Sequence, residues 1–240
     1  MRLKMLFFVF LSCLSASCAY QTVSPPGAYV DPSKRLSVAQ AHLFLGQWAL
    51  AKRQLDYLAV ADQDQSYWRL LSLYWLSAEQ DSEAMLVHQE ALRKYPDDDF
   101  IWNNYGVLLG KQKRWNEACE AFETARRFGL AKRQSVQINL SRCALRQKDV
   151  NLAEIYLKQA KEIADLPLIG LMTELNLVLI QGNTDKARKI VDFIQANTDM
   201  ATESVYFNEY NCLSWYLSAH ETDLTSYSAA SLFTCLDGTR

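Results

Sequence analysis

Along most of the chain, apolar residues return every three to four positions, the period of an amphipathic helix. The start departs from that pattern. Arg2 and Lys4 precede an unbroken apolar run over residues 5–11, and residues 21–34 have no helical period and contain Pro25, Pro26, Gly27 and Pro32. From residue 35 onward, helical segments follow one another across short polar turns at Gly46-Gln47, Glu79-Gln80, Gln112-Lys113, Lys148-Asp149 and Gly182-Asn183. Residues 201–240 lose the regular pattern but keep helical character, with apolar stretches over 205–217 and 224–236. The prediction is an all-α chain of antiparallel helix pairs, with the last helices capping the apolar face of the final pair.

The pairs repeat. Trp68 and Trp102 lie 34 residues apart, the tetratricopeptide period. One copy reads Trp68, Leu71, Ser72, Trp75, Ala84, His88, Ala91 and Pro96; the next reads Trp102, Tyr105, Gly106, Leu109, Ala118, Phe122, Ala125 and Leu130. Backward the register gives Val38, Ala39, His42, Gly46, Trp48, Ala51, Leu55 and Leu58. Forward, after a one-residue insertion near Gly129, it gives Gln137, Leu140, Ser141, Ala144, Ala153, Leu157 and Ala160. A fifth copy runs Leu171, Leu175, Val178, Gly182, Ala187, Val191 and Ile194. Ser72, Gly106, Ala84 and Ala118 mark where two helix axes approach most closely, since a larger side chain there would push the pair apart. The expected architecture is a tetratricopeptide-type right-handed superhelix of about five repeats over residues 35–200, followed by C-terminal capping helices over 201–240. The acidic triplet of Asp97, Asp98 and Asp99 after Pro96 opens the next helix, where carboxylates complement the helix dipole. That reading is preferred to metal binding.

A basic start followed by a short apolar run is the pattern of a secretory signal, and the run is far shorter than the roughly 20 residues that span a bilayer. Ser15-Ala16-Ser17-Cys18 resembles a bacterial lipobox, in which small residues precede a Cys that is diacylated and becomes the mature N-terminus. Cys13 is a second candidate, and a plain secretory signal is the alternative. Ala19 stands where an inner-membrane retention signal would place Asp. The resemblance thus implies a lipoprotein signal peptide over 1–17, a lipid anchor at Cys18 and outer-membrane sorting, and the aperiodic Pro- and Gly-containing stretch that follows reads as a flexible tether over 18–34.

Composition adds mostly exclusions. The 8 Gly and 5 Pro are too few for a turn-dense β fold. Losing Arg2 and Lys4 with the signal takes the formal charge from −2 to −4, which gives no reason to expect a nucleic-acid partner. His42, His88 and His220 sit in different segments without metal-ligand spacing, and core packing is the reading for His42 and His88. The chain contains no phosphate loop, nucleophile elbow or Cys-x-x-Cys. No enzyme, cofactor, metal or small-molecule substrate is predicted. Cys119, Cys143, Cys212 and Cys235 remain after the signal and anchor are assigned. Cys119–Cys143 would join neighbouring helices and Cys212–Cys235 the two terminal ones; the other reading is four small buried apolar residues.

In a tetratricopeptide array the first helix of each repeat lines a concave surface that takes segments of partner proteins. The inward positions are Arg69, Leu73 and Leu76, then Asn103, Val107 and Lys111, then Ile138, Arg142 and Arg146, with Leu43 and Phe44 extending the surface in the first repeat. Asn can hydrogen-bond a peptide backbone in either direction, and the apolar residues supply a floor. The alternative for any one of them is packing against a neighbouring helix.

The stretch Asn103-Asn104-Tyr105-Gly106-Val107-Leu108-Leu109 continues through Lys113-Arg114-Trp115-Asn116-Glu117-Ala118 and Phe122-Glu123-Thr124-Ala125. Asn139-Leu140-Ser141-Arg142-Cys143-Ala144-Leu145 and Ala153-Glu154-Ile155-Tyr156-Leu157 follow. Together they resemble the type IV pilus biogenesis/stability lipoproteins, the PilF/PilW pilotins, over roughly residues 35–195. The resemblance implies an outer-membrane lipoprotein that binds secretin subunits, escorts them to the outer membrane and promotes their assembly into the pilus pore. It does not extend past Thr198. The alternative is a tetratricopeptide lipoprotein of another envelope system, such as the tight-adherence pilus or the cell-wall machinery; a third reading is an enzyme or enzyme regulator acting on envelope polymers.

Overall fold

Small residues recur where helices must touch. Ala39, Ala51, Ser72, Ala84, Ala118, Ser141, Ala153 and Ala187 are all 0% exposed, at equivalent places along the chain. The computed structural model describes residues 30–78, 80–129, 133–198, 206–221 and 229–236. These form α1 (Pro32–Phe44), α2 (Trp48–Asp56), α3 (Gln65–Ser77), α4 (Asp81–Lys94), α5 (Asp99–Lys111) and α6 (Trp115–Phe128). There follow α7 (Gln134–Arg146), α8 (Val150–Ile163), α9 (Leu168–Ile180), α10 (Thr184–Asn197), α11 (Phe207–Glu221) and α12 (Ala229–Cys235). The first ten pair as five antiparallel repeats, an all-α tetratricopeptide superhelix. Helix α1 begins at Pro32 rather than at residue 35, because Pro is well suited to a first helical position, where its missing N–H costs nothing.

Four of the turns inside the repeats share one geometry. In the third repeat, Lys113 N–H donates to Gly110 O and Arg114 N–H to Leu109 O, with Lys113 at φ +61°. The same pair of bonds closes the turns at Gly46, Lys148 and Gly182, each at positive φ. This is the Schellman closure, which satisfies the carbonyls left open at a helix end and needs a left-handed residue. Asp149 and Asn183 then cap the following helices, accepting from the backbone N–H of Leu152 and Lys186.

Packing is local along the stack, as in other solenoids. One cluster joins Leu36, Leu55, Tyr67 and Leu71; another joins Leu109, Phe122, Val136 and Leu140; a third joins Leu145, Leu157, Leu177 and Leu236. The terminal cluster brings Met172, Leu175 and Val178 of α9 together with Leu213 of α11 and Leu232 of α12. Among the described residues, two disulfides cross-link neighbours. Cys119–Cys143 ties α6 to α7 with Cα atoms 5.7 Å apart, and Cys212–Cys235 ties α11 to α12 at 5.5 Å.

Buried polar groups are matched to the framework. Glu174 of α9 sits between Lys161 of α8 and Lys186 of α10 at 3.0 and 2.8 Å. Burial alone would raise its pKa, but the two ammonium groups outweigh that and hold the carboxyl below its usual range. His42 does not pack into the core as the sequence pattern suggests. It lies near the surface at the end of α1, where its Nδ1 pairs with Gln47 Oε1 at 2.7 Å.

His88 is 0% exposed, with Nδ1 2.7 Å from Ala84 O and Nε2 making no hydrogen bond. Burial lowers its pKa to about 4, because charging the ring would strand a cation away from water. The unfolded chain, with an ordinary histidine near 6.5, then binds more protons than the native state between pH 6.5 and 4. This contribution is complete above pH 6.5 and is lost as pH falls toward 4, by roughly 3 kcal/mol. Denaturant titrations at pH 7 and pH 4.5 are expected to show a smaller acid loss in His88→Leu than in wild type. Equal losses would mean that the ring is protonated in the fold.

Candidate functional site

The inward row of first helices divides into three groups. Leu43 and Ile138 are 5% and 1% exposed, so neither lines an open surface. Both correct the expectation that they face a partner. At Ile138 the neighbouring helix is the reason, since a Cβ at Gly170 of α9 would lie 3.1 Å from its Cδ1.

A second group bridges successive repeats. Arg69 Nε donates to Asp98 Oδ2 at 2.6 Å, and its guanidinium lies 4.7 Å from the Phe100 ring centre. Asp98 is fully buried and also accepts from Gln65 Nε2 and from the Ile101 N–H that begins α5. Arg69 is therefore committed to joining the second repeat to the third rather than to a partner. Asn139 Nδ2 donates to Asn103 Oδ1 at 3.2 Å, and Lys111 Nζ lies 3.4 Å from Leu76 O. The first contact links α7 to α5 and the second links α5 to α3, leaving Asn103 and Leu76 half-buried and Lys111 exposed.

The third group is covered by the chain itself. Arg142 makes a two-pronged contact with Glu209 of α11, both bonds at 2.8 Å, and the two side chains are 12% and 7% exposed. Arg146 Nη2 donates to Leu236 O at 2.7 Å, and its guanidinium stacks 3.6 Å from the Trp115 ring centre. Asn176 of α9, the next inward position in the period, donates through Nδ2 to Leu232 O at 3.1 Å. Nearby, burial raises the Tyr206 pKa; Glu209 adds to that shift and Arg142 opposes it.

Among the described residues, the concave face of the first three repeats is the less covered part of the row. Leu73, Leu76 and Val107 form a half-buried apolar floor, with Asn103 and Lys111 beside it. Phe44, 92% exposed, stands at the end of α1. Asn139 and Asn176 on these first helices, and Glu209 on the covering α11, are not among the inward positions that the sequence predicts. Asn176 was reachable, since it lies 34 residues after Arg142. Cys13 and Cys18 lie outside the described residues. Among those residues, no three His, Cys, Asp or Glu side chains gather to hold a metal ion, and no helix is long and apolar enough to cross a membrane.

No family profile and no curated protein matches the chain. Solved structures do. PilF of Pseudomonas aeruginosa superposes with TM-score 0.61 at 20% identity, over 84% of this chain and 88% of that one. PilW, described as a widely conserved type IV pilus biogenesis factor, gives TM-score 0.61 at 18% identity over 87% of this chain and all of that one. A thermophilic tetratricopeptide repeat protein from Thermus thermophilus gives 0.57 at 18% identity, over 80% of this chain and all of that one. At these identities the likeness is one of fold: the chain has the tetratricopeptide architecture that these proteins share.

Proposed function

We propose that this chain is a pilotin: a lipoprotein anchored through Cys18 to the periplasmic face of the outer membrane. There it binds secretin subunits and promotes their targeting and assembly for type IV pilus biogenesis. The observation that carries the reading is the open concave floor of Leu73, Leu76 and Val107 flanked by Asn103 and Lys111. Such a surface takes a partner segment by apolar burial plus hydrogen bonds to its backbone. The shared fold of PilF and PilW and the pilotin-like motifs of the middle repeats support the choice of partner. The two disulfides suit an oxidising compartment such as the periplasm.

The anchor supplies position. Each buried CH₂ contributes roughly 0.8 kcal/mol of membrane affinity, and several acyl chains on one Cys make attachment stable. A strain lacking the gene is expected to lose secretin multimers and twitching. A Cys18→Ser protein is expected in the soluble periplasmic fraction. Normal multimers in the deletion strain would sink the pilotin assignment, and membrane fractionation of the Ser variant would sink the anchor.

A further inference from the structure

The concave surface of the fourth and fifth repeats already holds a ligand-like element. Helix α12 lies against α9, with Leu232 and Leu236, four residues apart, turned into the apolar seam at 0% and 3% exposure. Its backbone is read at two points: Asn176 Nδ2 takes Leu232 O and Arg146 Nη2 takes Leu236 O. A guanidinium beside the final carbonyls of a helix is favourable, because those carbonyls carry the negative end of the helix dipole. The arrangement is helix-in-groove recognition, performed within one chain.

The fit has a polar mismatch. Asn176 Oδ1, on a residue that is 0% exposed, makes no hydrogen bond, while Nδ2 of the same side chain holds Leu232 O. Buried polar atoms left in this state weaken a contact relative to a fully matched one. The Cys212–Cys235 bridge ties α12 to α11, so the resident helix is held close to its place even when released.

We propose that the concave surface of the fourth and fifth repeats is a docking site for a short amphipathic helix with two leucines one turn apart, and that α12 is its resident competitor. Arg146 and Asn176 read the last carbonyls of the bound helix, and the surfaces around Leu145, Leu177 and Leu179 take its leucines. This deepens the groove reading above by adding a second, gated segment to the open floor of the first three repeats. It uses no assumption about which protein supplies the helix.

The test uses the mature full chain and a fluorescent peptide copying residues 226–238 with the C235S substitution. Anisotropy is expected to show at least tenfold tighter binding to Leu232→Asp, which weakens the resident helix, than to wild type. Adding Arg146→Ala to that variant is expected to abolish the gain. Hydrogen exchange in α5 and α6 checks that the early repeats stay folded. Should Leu232→Asp disturb them, Leu236→Ala takes its place with the same expected direction. Equal binding to wild type and to the weakened variant, or a gain that survives Arg146→Ala, overturns the proposal. Secretin capture without the peptide effect would remove this site alone, and the peptide effect without secretin capture would remove the secretin assignment alone.

Discussion

Replacing Asp98 with Ala is expected to cost about 3 kcal/mol and to loosen the junction between the second and third repeats. The carboxylate is fully buried and does three things together: it caps α5 through Ile101 N–H, accepts from Gln65, and pairs with Arg69 at 2.6 Å. Losing an N-cap alone costs about 1 kcal/mol. Removing one partner of a buried ion pair costs about 3–5 kcal/mol when the other is stranded. Arg69 is 35% exposed and keeps Asp99 at 3.6 Å and the Phe100 ring, so it is only partly stranded, which places the total near the lower end. Asp98→Asn retains a good capping group and loses the charge, so its cost should be about half. Hydrogen exchange of α3 and α5 reads the effect where it occurs; a change below about 1 kcal/mol in Asp98→Ala would show that the clasp adds little.

A second large effect is expected where α5 meets α6. A Cβ at Gly106 would lie 2.6 Å from Phe122 Cε1 and 2.8 Å from Cδ1, on a ring that is 7% exposed and has little room to turn. Gly106→Ala in the wild type should cost about 2 kcal/mol, within the range for overpacking a filled core. Phe122→Ala alone should cost about 4 kcal/mol. In that background Gly106→Ala should instead stabilise, by about 0.5–1 kcal/mol, because Ala is the better helix former. The sign reversal, a coupling of about 2–3 kcal/mol in a double-mutant cycle, identifies Gly106 as the point of helix contact. Additive costs would place the strain elsewhere.

Spacing made the repeats readable. The period located the small contact residues, and burial at Ala39, Ser72, Ala84 and Ala118 follows it. Turn position was also readable, but the turn's demand for a left-handed residue was hidden at Lys113 and Lys148, where the Schellman bonds outweigh the side chain's preference. The inward row was legible as a direction and not as an exposure. Ile138 points along the groove yet is covered by α9, and Arg69 is taken by a carboxylate 29 residues away. Such long-range partners leave no mark on a local period.

The terminal helices show a different gap. Tyr210, Leu213, Ser214 and Leu217 repeat the spacing of Trp68, Leu71, Ser72 and Trp75, so α11 carries the first-helix signature of another repeat. It starts 39 residues after Leu171 rather than 34, which hides it from a fixed-period scan. The closing of the groove by α12 rests on two backbone carbonyls, Leu232 O and Leu236 O, which side-chain patterns do not encode.

On the proposed reading, the concave floor of the first three repeats recognises the secretin. The most direct measurement is capture of solubilised secretin subunits by immobilised mature protein, comparing wild type with a Leu73→Asp/Val107→Asp variant whose α-helical signal and disulfides are unchanged. Capture by wild type and at least a tenfold loss in the variant are expected, since two carboxylates would then occupy the apolar floor. Equal capture by both proteins, or none by either, would contradict it.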